Sequence, residues 1–136
     1  MSIQRTAILL SVCSVLLLTS CTTAPILQLD NALLPTKPDG KAYTQEEVQA
    51  AILRACNRRG WSGQVQGEGL ILASIVVRTH SAKVEIRYTN STVSISYVDS
   101  SELNHSDGYI HRNYNRWVAN LYHTILIELG SRGQMY

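Results

Sequence analysis

Residues 70–98, "LILASIVVRTHSAKVEIRYTNSTVSISYV", decide the fold. "KVEIRY" (83–88) alternates strictly, with Val84, Ile86 and Tyr88 on one side and Lys83, Glu85 and Arg87 on the other. That period of two marks a half-buried strand. "TVSISYV" (92–98) repeats the pattern, setting Val93, Ile95 and Tyr97 against Ser94 and Ser96. "LILASIVVRT" (70–79) is richer in apolar residues; Ile71, Ala73, Ile75 and Val77 make one fully apolar face, and Leu70, Leu72, Ser74, Val76 and Arg78 a mixed one. Turns are expected at "HSA" (80–82) and "TNS" (89–91). Links this short leave no room for a crossover, so neighbouring strands run antiparallel. "WSGQV" (61–65), weakened by Gly63, adds a short edge strand. The expectation is a meander of three to four strands.

Helical patterns flank it. "TQEE" (44–47) is a capping box, with Thr44 as N-cap and Glu47 three residues on. Val48, Ala51, Ile52 and Ala55 follow at helical spacing, Arg58 and Arg59 suit the negative end of the dipole, and Gly60 stops the helix. A second helix is expected over roughly 109–129, with Tyr114, Trp117, Val118, Leu121, Ile125 and Leu129 as its stripe. Each helix needs an apolar partner, and each inner strand offers one apolar face. The fold class is therefore α+β: an antiparallel meander with an N-terminal and a C-terminal helix packed on one face. The opposite face carries Lys83, Glu85, Arg87, Ser94 and Ser96, which suits solvent. Leu70, Leu72 and Val76 fit poorly there unless another segment or another protein covers them.

The chain's 136 residues, 45% hydrophobic and 16% charged, suit one globular domain. A formal net charge of +2 gives no reason to expect nucleic acid as a partner. The first residues do not belong to the domain. Arg5 and the α-amine form a positive start, and "AILLSVCSVLLL" (7–18) is an apolar run too short to span a bilayer. "LTSC" (18–21) then resembles the bacterial lipobox. That resemblance implies cleavage between Ser20 and Cys21, a diacylglyceryl thioether on Cys21 and acylation, typically by palmitate, of the new amino terminus. Two or more acyl chains hold a protein stably where one does not. The membrane partner is reached through the lipid on Cys21. By resemblance to sorted lipoproteins of Gram-negative bacteria, Thr22 in place of Asp implies the periplasmic side of the cell outer membrane; a host with one membrane would carry the protein on that membrane's outer face. The chain divides into a signal peptide (1–20), the lipidated Cys21 with a flexible tether (21–43), one α+β domain (44–130) and a short tail (131–136); the alternative for the tether is that its apolar patches, Ile26–Leu29 and Leu33–Leu34, dock on the domain or on a partner. In the mature chain only Cys56 remains unmodified, so no intramolecular disulfide forms; its place on a helix stripe makes it a buried small hydrophobe.

No catalytic pattern emerges. Ser100, Ser101 and Ser106 lack a nucleophile elbow, and "GQVQGEG" (63–69) lacks a phosphate-loop ending. His105, Asp107 and His111 have ligand-type side chains but match no metal pattern, so no metal or other cofactor is assigned. "IHRNYNRWVANL" (110–121) is the densest polar stretch. Its aromatic and aliphatic residues belong to the core stripe, which leaves His111, Arg112, Asn115 and Arg116 as a candidate partner surface. A cation at a helix start and two like charges at i, i+4 are both unfavourable. Asp99, Glu102 and Asp107 in the preceding loop are the expected compensating acids. The alternative is a basic face for an envelope protein or an anionic envelope component, such as lipid phosphate, lipopolysaccharide or peptidoglycan carboxylate. A hydrolase using His111 with Asp99 or Asp107 and a subunit of a larger envelope complex are the rival readings.

"RGW" (59–61), the 76–103 stretch and "IHRNYNRWVANL" together resemble a family of small, uncharacterised Gram-negative lipoproteins. The likeness spans roughly 44–128. It rests on Arg78, His80, Ser94, Ile95, Tyr97, Asp99, Ser100, His111, Arg112, Asn113, Tyr114, Asn115, Trp117 and Val118. It implies architecture and location, not an activity.

Overall fold

The structure, a computed structural model, describes residues 22–130. The expected signal peptide, Cys21 and the 131–136 tail lie outside those residues. In chain order the elements are β1 (Thr23–Pro25), β2 (Leu29–Leu33), α1 (Gln45–Arg58), β3 (Trp61–Gly67), β4 (Leu70–Val77), β5 (His80–Tyr88), β6 (Thr92–Ser101), β7 (Tyr109–His111) and α2 (Arg112–Gly130). The fold is α+β with an antiparallel sheet. That sheet has five strands, ordered β2-β6-β5-β4-β3, rather than three to four; β1 and β7 form a separate antiparallel pair.

The added strand comes from the segment expected to be a tether. β2 pairs with β6 through Leu29↔Ile95 and Leu33↔Thr92, and a bulge separates the two contacts. Its sequence, "LDNAL", shows no strand alternation because Asn31 sits at φ +48° inside that bulge. Leu34 is buried, and its N–H donates to the Ser91 carbonyl at 2.8 Å. Residues 22–34 are thus built into the folded unit, and the chain from 35 to 43 leads on to α1. Along it Lys37 pairs with Glu47 at 2.8 Å, and the buried Tyr43 hydroxyl donates to the Leu129 carbonyl at 2.8 Å.

The β4–β5 reversal lies two residues before the expected "HSA" turn. Val77 pairs with His80, leaving Arg78 and Thr79 as the loop, with Arg78 at φ +57°. A left-handed residue in a two-residue loop is normally Gly or Asn. An arginine there carries no turn signal. "TNS" does turn: the Thr89 Oγ1 accepts from the N–H groups of Ser91 and Thr92.

α1 starts as expected. Thr44 Oγ1 accepts from the Glu47 N–H at 3.2 Å, and a Glu47 carboxylate oxygen accepts from the Thr44 N–H at 2.8 Å. Gly60, at φ +76°, ends it by adopting a conformation costly for other residues. α1 lies so close to β3 that a Cβ on Gly63 would meet Leu53 Cδ2 at 3.2 Å and Cys56 Sγ at 3.4 Å. Gly63 therefore sets the helix-to-sheet distance.

α2 begins at Arg112 rather than 109, because 109–111 is tied up as β7 against Thr23–Pro25. Tyr114 of α2 meets Tyr97 of β6 edge-on, with ring centroids 5.7 Å apart. Tyr97 pairs with Val84, so it stands on the same buried face as Ile86 and Ile95. A single core joins Val48, Ile52 and Ala55 of α1, Val118, Leu121 and Ile125 of α2, and the inward row of the sheet. Each fully buried aliphatic contributes about 1.5–3 kcal/mol by leaving water. Where the two helices meet, Glu128 is nearly buried and binds Arg54 Nε at 2.8 Å and Arg58 Nη1 at 2.5 Å.

Candidate functional site

The four candidate residues lie at the junction of β7 and α2, but they do different work. Asn115 is a clamp. Its Oδ1 accepts from the Leu27 N–H at 2.8 Å, and its Nδ2 donates to the Pro25 carbonyl at 2.8 Å. One amide side chain thereby satisfies two backbone groups just beyond the short pair β1–β7. The Ile26 N–H donates to the Gly108 carbonyl alongside. Asn115 is thus committed to holding the N-terminal segment.

His111 is the last residue of β7. It pairs with Thr23, and its N–H donates to the Leu103 carbonyl at 2.8 Å. Its Nδ1 accepts from the Asn113 N–H at 3.2 Å, so the ring faces the helix start. The His80 ring lies 6.2 Å away, tilted by 45°. The Arg112 N–H donates to the Thr22 carbonyl at 3.0 Å, and its side chain is exposed. Arg116 Nη2 donates to the Asn113 Oδ1 at 2.7 Å.

The expected compensation by acids is not seen: among the described residues neither Arg112 nor Arg116 forms an ion pair. The loop's own geometry explains this. Asp99 belongs to β6, opposite Lys83, and its carboxylate accepts from the Ser100 N–H. Asp107 accepts from the Ser106 hydroxyl, and Ser106 closes a small turn on Tyr109. Glu102, Asn104 and Asp107 all hold positive φ values of 50–58°, and this folds the loop on itself. Leu103 plugs the core beneath it at 1% exposure. Nothing in the polar composition of 99–108 marked Leu103 as a plug; only its isolation among polar neighbours hinted at it.

His105, Asp107 and His111 are not brought together. His105 lies on Tyr97, with centroids 4.2 Å apart, while His111 faces His80. Among the described residues no group of three or more His, Cys, Asp or Glu side chains could hold a metal ion. Neither Asp99 nor Asp107 hydrogen-bonds His111, which accepts from a backbone N–H instead. Cys56 is buried, and desolvation pushes its thiol up to about 12, far from the thiolate that nucleophilic chemistry needs. Tyr114 is fully buried, its hydroxyl has no hydrogen-bond partner among the described residues, and burial pushes its phenol well above the ordinary tyrosine range.

Chemically, the junction offers guanidinium groups and imidazoles around a strand pair, with no described carboxylate hydrogen-bonded to His111. Arg78 and His80 belong with it through the His80–His111 contact, although they lie more than thirty residues away in sequence. No protein-family model, curated protein or solved structure matches the chain.

Proposed function

We propose that this protein is a membrane-anchored envelope lipoprotein, held by lipid on Cys21 on the periplasmic side of the outer membrane. Its α+β domain acts by binding or scaffolding there. The reading rests on the order of signals at the start of the chain and on the resemblance to small Gram-negative lipoproteins. The structural observation that supports it lies at the residue after the lipobox cysteine. Thr22, the residue after the lipobox cysteine, already accepts the Arg112 N–H, and β1 begins at Thr23. In this reading the residue next to the acylated cysteine is already hydrogen-bonded to α2. No helix of the described residues is long and apolar enough to cross a membrane; attachment in this reading comes from acyl chains. Cys21→Ser is expected to abolish incorporation of labelled palmitate and to release the protein from membranes. Continued acylation and sedimentation with membranes would sink the reading.

A second reading, as one subunit of a larger envelope complex, is favoured by the outer face of β4. Val76 is 72% exposed there, and Leu70 and Leu72 are only partly covered. Val76→Glu should leave folding intact and abolish crosslinking to envelope proteins; unchanged crosslinking argues against that contact.

A further inference from the structure

In the lipoprotein reading the acylated residue directly precedes Thr22, one Cα–Cα step of about 4 Å along the chain. That position is an end of the sheet, not its middle. Thr23 pairs with His111, and the Thr22 carbonyl takes the Arg112 N–H. His111 in turn faces His80, the first residue of β5, and Arg78 stands at the tip of the β4–β5 hairpin that His80 closes. The Ser81↔Ser101 pair brings the end of β6 and the start of the 102–108 loop to the same place. β1 and β2 then carry the chain away, so that Leu33 pairs with Thr92 at the opposite end beside the "TNS" turn. The molecule therefore has a lipid-proximal end (Thr22, Arg78, His80, Glu102, His111, Arg112) and a distal end (Gly69, residues 89–91).

We infer that the proximal end rests on the bilayer surface, with Arg78 and Arg112 against anionic phospholipid headgroups. This rests on the lipoprotein reading and adds an orientation and a ligand chemistry to it. Three observations converge. Residues 22–34 are hydrogen-bonded to β7, α2 and β6 and do not act as a spacer. Both guanidinium groups are exposed, and neither has an ion-pair partner among the described residues. At this end Glu102 is the carboxylate beside the two arginines, and Asp99, two pairs further along β5–β6, stands opposite Lys83. Planar guanidinium forks suit phosphate oxygens, and a basic side chain held within a Debye length of an anionic bilayer is drawn to it. The burial of Cys56 leaves a mature chain in which an added surface cysteine is the sole reactive thiol.

The test uses the full acylated chain in vesicles of phosphatidylethanolamine and phosphatidylglycerol containing a headgroup-quencher lipid. A fluorophore is placed by Thr79→Cys at the proximal turn or by Asn90→Cys at the distal turn. Quenching is expected at 79 and not at 90. Arg78→Glu with Arg112→Glu should lower the docked-to-undocked ratio about fivefold per residue. Replacing phosphatidylglycerol by phosphatidylcholine should have a similar effect. Equal quenching at 79 and 90 overturns the orientation. Quenching at 79 that ignores both charge reversal and lipid charge overturns the phosphate contact. Mass analysis of the same sample separates the two readings: an unacylated Cys21 removes the anchor and this inference with it, whereas an acylated Cys21 with equal quenching removes the inference alone.

Discussion

At the scale of single residues, Glu128 shows how a nearly buried charge is kept. Hydrogen bonds from Arg58 and Arg54 hold its carboxyl below the ordinary carboxylate range, against a smaller opposing effect of burial. The folded value is depressed, so the stabilisation is fully present above the unfolded carboxylate value and is lost as pH falls through the folded one. Glu128→Gln should flatten the acid limb of the stability profile and cost about 1–2 kcal/mol near neutral pH, a figure discounted because both arginines reach solvent. Urea titrations of both proteins across the acid range check this; parallel profiles would contradict it. Cys56 makes a second case. With its thiol buried and pushed up to about 12, it should resist thiol reagents in the native chain and react on denaturation. Reaction at the same rate in both states would place it at the surface.

At the scale of elements, close approach and clamping decide what holds. Gly63 leaves no room for a branched side chain beneath α1, so Gly63→Val should destabilise by roughly 1–3 kcal/mol through overpacking. A shift in the chemical denaturation midpoint measures it, and an unchanged midpoint would mean that α1 is not fixed at this distance. Asn115→Ala strips partners from two backbone groups and should speed hydrogen exchange at Ala24 and Leu27 by one to two orders of magnitude, in line with about 1–3 kcal/mol for the lost bonds. Unchanged exchange would show that β1 holds without its clamp. These elements also separate what the residues disclose from what they do not. The β5 and β6 strands were legible because polar and apolar residues alternate across a sheet with one wet face. The α1 start was legible because a capping box is local chemistry. β2 was not, since its pairing is supplied by β6, sixty residues on, and a bulge at Asn31 breaks its alternation. The hairpin at Arg78 was hidden because its left-handed residue is not Gly or Asn. His111, Arg112, Asn115 and Arg116 lie at the end of β7 and the start of α2. That Asn115 serves the backbone, and that Arg78 and His80 join the group, depends on tertiary pairing.

At the scale of the whole molecule, the N-terminal segment defines a direction. It enters at one end of the sheet beside His111 and Arg112, climbs along α2 and β6, and delivers the chain to α1 at the other end. Under the proposed anchoring at Cys21, such a domain would have a fixed base and an outward-facing top, as a binding or scaffolding role requires. The most direct test is mass spectrometry of the amino-terminal peptide from protein purified out of native membranes. A peptide beginning at Cys21 and carrying a diacylglyceryl group with an N-linked acyl chain is expected. A peptide retaining residues 1–20, or beginning at an unmodified Cys21, would contradict the proposed anchoring.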